Sequence, residues 1–397
     1  MNKKLTVMIF TFLVMIAITP FIFGKLMNSR YNQMLDDLRA KGMEIKIVDD
    51  KSSYLQTDKI LEVSVPSKLL NSQGLIEKVK LKIETKFKNL PVTNVVFLGK
   101  IDGVVLNGEF KKLEKDFNEF LKKHIEFVVT TPNFRDYTYK FKDIKINKGL
   151  ILGIEHITGM FKYKGLIKNR LNIKDAYIKD KKGFIEIKNL KNEFEGNEKE
   201  YFSKTDFNVN VNLNTFKLQV NNVSSITKTV LNDIAKVNST FKFKTLNIPR
   251  ALNADMFKLK TEIKGIKTEV LKQLAHAKEY EKDKYLEKIF EKGFDVNIES
   301  TIKNVKLMQR DLGGYTLDFK LKFLPTDNLQ EKINTNNLDF INAKLHLITT
   351  PEIANIIMNT LRRTAFLFAL AKKENGNVIL NLEFKGGKLY SEGQLVK

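Results

Sequence analysis

The sequence predicts an α+β fold: strand-dominated, with mostly antiparallel sheets and packed helices, preceded by one N-terminal transmembrane helix. Three observations carry this reading. An uncharged run from Leu5 to Gly24 opens the chain, with Lys3 and Lys4 before it and Lys25 after it. Apolar residues then recur at every second position over much of the length, the period of a strand with one buried face. Between these stretches stand a few segments with helical spacing and recognisable caps.

As a helix the opening run rises ~30 Å, the depth of a bilayer's hydrocarbon core. It ends in Pro20-Phe21-Ile22-Phe23-Gly24-Lys25, without the small-x-small pair of a cleavage site. An uncleaved signal anchor over residues 1–24 is expected. Basic residues near the run are Lys3 and Lys4 on one side and Lys25, Arg30, Arg39 and Lys41 on the other, a count that mildly favours a cytoplasmic body. Long domains translocate largely regardless of charge, however, and a short basic head before an apolar run is the usual start of an exported chain. The expected placing is a single pass through a bacterial inner membrane, with residues 5–24 in the lipid and the body in the periplasm.

After the anchor, Leu26, Tyr31, Met34, Leu35 and Leu38 keep helical spacing, with Gly42 as the stop. Period two begins near Glu44 and runs through Ile45 and Ile47, Leu61 to Val65, and Val79 to Ile83. A helix is predicted over Gly108–His124, with Phe110, Leu113, Phe117, Phe120 and Leu121 on one side. Strands return at Tyr137–Ile146, Ile185–Ile187 and Phe207–Leu213. A short helix is expected near Ser224–Lys236, followed by strands at Phe241–Lys244 and Phe257–Ile263. The longest helix of the body is predicted over Lys267–Lys292, capped by Gly293. Further strands are read at Val296–Ile298, Leu317–Phe323 and Ala343–Ile348. Thr350-Pro351-Glu352 is a helix start, an N-cap hydroxyl followed by Pro and an acid, and that helix is expected to reach Lys373. Asn375-Gly376-Asn377 turns the chain into a last hairpin, Val378–Phe384 and Leu389–Val396, joined at Gly386-Gly387. The polar stretch Glu193–Lys204 suggests halves at 25–196 and 197–397.

Composition narrows the chemistry. The 397 residues carry a net charge of +22 and no Cys, so disulfides and thiolate metal sites are excluded. Only eight of the 68 basic residues are Arg, which favours a solvated lysine surface over phosphate-binding Arg forks. His124, His156, His276 and His346 form no His-x-x-x-His or His-Glu-x-x-His pattern. Glu155-His156, between Gly153 and Gly159, is the one locally suggestive spot, and a surface pair is its ordinary meaning. There is no Gly-x-Ser-x-Gly turn, and Gly386-Gly387-Lys388 lacks the upstream glycine of a phosphate loop. No catalytic, cofactor-binding or metal-binding residue is therefore assigned, and no cofactor is expected. The aromatics are 29 Phe and 11 Tyr, and Phe alternates into strand faces, which argues against a nucleic-acid platform.

The strand pattern carries the functional expectation. Phe241, Phe243, Phe257, Leu259, Leu317, Phe319, Leu321 and Phe323 put one apolar face on a sheet, while Lys242, Lys244, Lys258, Lys260, Lys320 and Lys322 crowd the other. The ordinary reading is a sheet packed on its helices. The sharper one is a groove for acyl chains with lysines near phosphate headgroups. Ala365–Ala371 could likewise lie on a membrane, but Arg362 and Arg363 bar the segment from spanning.

The chain also resembles the YdgA-like family of bacterial inner-membrane proteins. The residues that carry the resemblance are Gly24-Lys25 after the anchor, the helix with Tyr31, Leu35 and Leu38, then Tyr54-Leu-Gln-Thr, Leu61-Glu-Val and Leu90-Pro91. Leu338-Asp-Phe-Ile-Asn-Ala-Lys-Leu345 ahead of Pro351, Gly386-Gly387-Lys388-Leu389 and Gly393-Gln394 complete it. Ser52-Ser53 stand where the family has Arg-Gly, and Phe87-Lys88 where it has His-Gly. The resemblance implies a single-span periplasmic protein, a homo-oligomer among its expected states, and supplies no catalytic residues. The combined expectation is a non-enzymatic envelope protein that binds or moves an amphipathic anionic ligand such as lipid, or supports envelope assembly. A scaffold for protein partners is the first alternative, and a hydrolase of envelope substrates is the second.

Overall fold

The stripe Met27, Tyr31 and Leu35 recurs every four residues and is buried, which fixes how the first helix meets the rest of the chain. This computed structural model describes residues 3–70, 76–90, 94–147, 150–163, 165–197, 199–276, 282–335, 337–360 and 362–396; side chains at 3–18, 70, 109, 163, 275, 276, 282–284 and 362–364 lie outside the description. The chain divides into two compact units, Met1–Ala176 and Tyr177–Lys397.

The first unit opens with helix α1 (Lys3–Ala40) and continues through β1 (Glu44–Ser52), β2 (Gln56–Pro66), the single turn α2 (Ser67–Leu70), β3 (Ile76–Lys88) and β4 (Val95–Leu106). The helix predicted over 108–124 forms as a 3-10 segment followed by α3 (Glu114–His124). Then come β5 (Glu126–Thr131), β6 (Asp136–Phe141), β7 (Ile144–Asn147), β8 (Ile151–Glu155), β9 (Thr158–Tyr163) and β10 (Ile167–Asp180), which carries the chain into the second unit. The strand predicted over 137–146 is thus two, parted at Lys142-Asp143. The ladder runs β1–β2–β3–β4–β5–β6–β9–β10, with each of these pairs antiparallel, and the β7–β8 hairpin joins it through pairing of β8 with β10.

Met27, Tyr31 and Leu35 pack on Leu61, Val63, Val65, Phe87, Val95 and Phe97 of β2, β3 and β4. Tyr31 is fully buried, lies among the rings of Phe87, Phe97 and Phe134 and shares a 3.1 Å hydrogen bond with Thr85. Burial pushes its phenol pKa up. Lys59, 5% exposed, places its ammonium 5.5 Å from the Tyr31 ring centre and 3.0 Å from the Asp50 carboxylate. Burial opposes ionisation of Asp50, but the Ser52 hydroxyl and Lys59 ammonium outweigh it and hold its pKa below the ordinary value.

The second unit is a meander: β11 (Gly183–Gly196), β12 (Glu200–Leu213), β13 (Phe216–Leu231), β14 (Ile234–Ile248), β15 (Leu252–Lys267), helices α4 (Thr268–His276) and α5 (Lys282–Phe290), β16 (Phe294–Leu307), β17 (Arg310–Phe323), α6 (Leu329–Asn334) and β18 (Ile341–Thr349). Helix α7 (Pro351–Thr360), a 3-10 segment (Arg362–Leu370), β19 (Lys372–Glu374), β20 (Asn377–Lys385), β21 (Lys388–Ser391) and β22 (Gln394–Leu395) complete it. Each long strand pairs antiparallel with the next from β11 to β18, then β20 joins β18. The polar stretch 193–204 turns β11 into β12. Asn375-Gly376 and Gly386-Gly387 take positive φ at both positions, the geometry of two-residue hairpin turns.

Three predicted helices are corrected. Ser224–Lys236 belongs to β13 and β14; Ile226, Thr227, Thr229 and Val230 are β-branched and pair across the ladder. The helix expected over 267–292 is replaced by α4 and α5, with 277–281 outside the described residues. Val270 and Ile289 share one cluster, whereas a continuous helix would part them by about 28 Å. Gly293 does take the expected left-handed conformation, with φ 69°. The helix expected from Thr350 to Lys373 stops at Thr360, because Leu367 and Phe368 turn back onto Leu347, Leu380 and Leu382.

Two outcomes are expected. Tyr31→Ala should lower the unfolding free energy of the first unit by about 3–5 kcal/mol, read by denaturant titration. The Asp50 pairing adds stability above the ordinary carboxylate range that is lost as pH falls through and below about 4. The denaturation midpoint of Asp50→Asn should therefore depend less on pH in that window than the parent's does.

Candidate functional site: an apolar cavity beside the first helix

A helix is ~10 Å wide, whereas eight strands ~4.8 Å apart span roughly 34 Å. With its Met27–Tyr31–Leu35 stripe committed to β2, β3 and β4, α1 cannot also reach the strands beyond them. The result is a cavity of about 1010 Å³, at the upper end of the roughly 300–1,000 Å³ usual for ligand pockets. Met34 and Leu38 on the flank of α1 form one wall, and Phe127, Val129, Tyr137, Phe161 and Ile167 of β5, β6, β9 and β10 form the other. Leu61, Val63, Leu81, Ile83 and Phe97 lie between them.

The rim is polar. Arg30, Gln33, Asp37 and Lys41 recur along the solvent side of the same helix flank, and Asn133 and Arg135 contribute from the β5–β6 turn. That turn is held by the Asn133 carboxamide oxygen, which accepts the backbone N–H groups of Arg135 and Asp136 at 2.9 Å each. Phe134 there adopts φ 57° and lays its ring against Tyr31. Among the described residues, no ion pair holds Arg30, Lys41 or Arg135, so three cations and one carboxylate face the opening. Gly99 on β4 sits under the Phe127 ring: a Cβ there would lie 2.1 Å from Phe127 Cζ. The strand pair thus needs glycine for Phe127 to line the wall.

The sheet-face expectation is met in part. From β12 to β18 the cross-strand row Thr205, Ser225, Phe241, Leu259, Ser300, Leu317, Leu347 lies beside Ser203, Thr227, Ser239, Thr261, Ile298, Phe319, Leu345, without a charge in either. Asn222 and Met256 take positive φ where the rows break, and apolar positions resume one residue out of phase at Val220, Leu246 and Ala254. Helix α7 and the 3-10 segment cover the β18–β20 end, where Leu347 and Leu380 are 7% and 1% exposed. Toward β11 the face is open, with Ile185 44% and Phe241 37% exposed. The opposite face is charged and compensated in part: Lys260 pairs with Glu299 at 2.9 Å, Lys236 with Glu262 at 2.7 Å and Lys344 with Glu383 at 3.2 Å. Two of the lysines predicted to meet headgroups, Lys260 and Lys320, are in ion pairs, the latter with Asp318.

The four histidines are dispersed over the fold. His124 ends α3, His276 ends α4, His346 lies on β18, and His156 follows β8 with φ 53°. Ligand atoms of Asp143, Glu155 and His156 lie within 4.8 Å of one another. Both carboxylates have structural duties: Asp143 accepts the His156 backbone N–H at 2.8 Å, and Glu155 pairs with Lys145 at 3.0 Å. His346 borders a polar depression of about 280 Å³ and is hydrogen-bonded through Nδ1 to the Asn381 oxygen. Asn381 donates to Glu392 at 2.7 Å. Because a carboxylate only accepts, the amide oxygen faces the ring, and Nδ1 carries the proton. The amide of Asn381 and the ammonium of Lys372 hold the Glu392 carboxyl below its ordinary pKa. This chain of partners braces three neighbouring strands.

Gly99→Val should push the Phe127 ring into the cavity, reducing uptake of an apolar fluorescent probe at least tenfold with little change in circular dichroism. No known protein family, curated protein or solved structure matches this chain.

Proposed function

We propose that the protein is a membrane-anchored envelope protein that binds an amphipathic anion of lipid type, without catalysing a reaction. The observation that carries this reading is the cavity beside α1: an apolar interior with Arg30, Lys41 and Arg135, which no ion pair holds among the described residues, at its rim. Acyl chains leave water for such an interior, and the cations suit a carboxylate or phosphate headgroup. From Arg30 to Leu38 the helix rises about 12 Å, close to the ~15 Å hydrocarbon depth of one leaflet.

Two further features support the reading. The cavity wall is the direct continuation of the uncharged run 5–24, so a molecule leaving the lipid at that run meets the cavity on the same helix. The open charge-free face of the second unit is a further apolar surface, of the kind that marks binding rather than a solvated exterior. Among the residues with described side chains no helix is long and apolar enough to cross a membrane. The run 5–24 lies largely outside them, from 5 to 18, and its spanning role, the periplasmic placing and the kinship with the YdgA-like family belong to this proposal. A scaffold for protein partners would use the open face of the second unit and leave the cavity empty.

The test is to purify the full chain from membranes, wash it extensively and identify bound molecules by native mass spectrometry. An anionic lipid at about one per chain is expected, reduced at least fivefold in Val129→Trp, which fills the cavity. A chain free of lipid, or one whose lipid content ignores Val129→Trp, contradicts the proposal.

A further inference from the structure

A Cβ on Gly24 would lie 2.7 Å from Asn89 Cγ, so α1 touches the end of β3 at the point where its uncharged run stops. Asn89 is 5% exposed and ties the surrounding chain together. Its backbone N–H donates to Leu55 at 2.8 Å, and its amide donates to the carbonyls of Ser53 at 3.0 Å and Tyr54 at 3.2 Å. The β1–β2 loop and Leu90 are therefore held at the level of Gly24. What they show to solvent is apolar: Tyr54 is 52%, Leu55 57% and Leu90 39% exposed, beside Phe21 at 65% and Ile22 at 56% on the helix. Lys25 and Lys88, both exposed, flank this group, and no ion pair holds either among the described residues.

We infer that Tyr54, Leu55 and Leu90 form a docking surface for the bilayer, dipping into the interface around the emerging helix while Lys25 and Lys88 reach the headgroups. This rests on the reading of 5–24 as a membrane span. The bilayer is the occupant because the patch is continuous with that run and lies where it ends. A Tyr with aliphatic neighbours and a cationic fringe is the composition of an interfacial belt. The consequence is a fixed stance: Arg30, six residues beyond Gly24, stands roughly 9 Å further along the helix axis, so the cavity rim lies close to the headgroups.

The chain has no Cys, so single nitroxide labels can be placed on the full-length protein in vesicles of phosphatidylglycerol and phosphatidylethanolamine. The sites are Tyr54→Cys, Leu55→Cys, Leu90→Cys, Met15→Cys within the run, and Lys41→Cys as an aqueous reference. Power-saturation spectra with oxygen and with a water-soluble nickel chelate report depth. The expected result is at least threefold protection from nickel at 54, 55 and 90 relative to 41. Nickel access at 54, 55 and 90 equal to that at 41, with 15 still protected, overturns the docking surface and spares the span. Nickel access at 15 as well overturns both.

Discussion

One helix faces a sheet too wide for it, and the architecture of the first unit follows. Met27, Tyr31 and Leu35 can be buried only against neighbouring strands, and they are buried against β2, β3 and β4. The Tyr31 ring fixes the depth of that contact through three neighbouring aromatics and the Thr85 hydroxyl. Every strand beyond the helix's reach still carries its inward apolar residues. Phe127, Val129, Tyr137 and Phe161 therefore line the cavity, with Met34 and Leu38 of α1 on its other wall. Cavities of this size are ordinarily removed by collapse or filled by ligand, because close packing is the rule inside proteins.

Charge is distributed with the same logic in the second unit. The rows of one face hold hydroxyls and hydrocarbon alone, while the other face carries lysines beside Glu and Asp. Such pairs at exposed positions contribute little stability. Their effect is to reduce the free positive charge along these strands. On the rim of the first unit, by contrast, no ion pair among the described residues holds Arg30, Lys41 or Arg135.

Much of the fold was legible from periodicity. Period two located most strands, and the glycines at 293, 376, 386 and 387 marked their turns or caps through positive φ. The departures share a cause: local spacing predicts helices at Ser224–Lys236, 267–292 and 350–373, while ladder pairing and the folding back of Ile289, Leu367 and Phe368 decide the structure. The cavity was the least legible feature. The sequence did show an apolar stripe on α1 including Tyr31, Met34, Leu35 and Leu38, wider than one line of contact requires. Which part would stay uncovered depends on how many strands lie beyond the helix, which spacing alone does not give. The alternation of Arg30, Gln33, Asp37 and Lys41 along that flank was the available signal.

The central claim is that the cavity beside α1 holds an amphipathic anion by its chains and its charge together. Titration of the full chain with a naturally fluorescent polyene fatty acid tests both parts. The account predicts saturable binding at one molecule per chain, weakened at least tenfold in the Arg30→Glu, Arg135→Glu double variant and weakened by rising salt. Binding that never saturates, or that is indifferent to both the charge reversal and the salt, would contradict it.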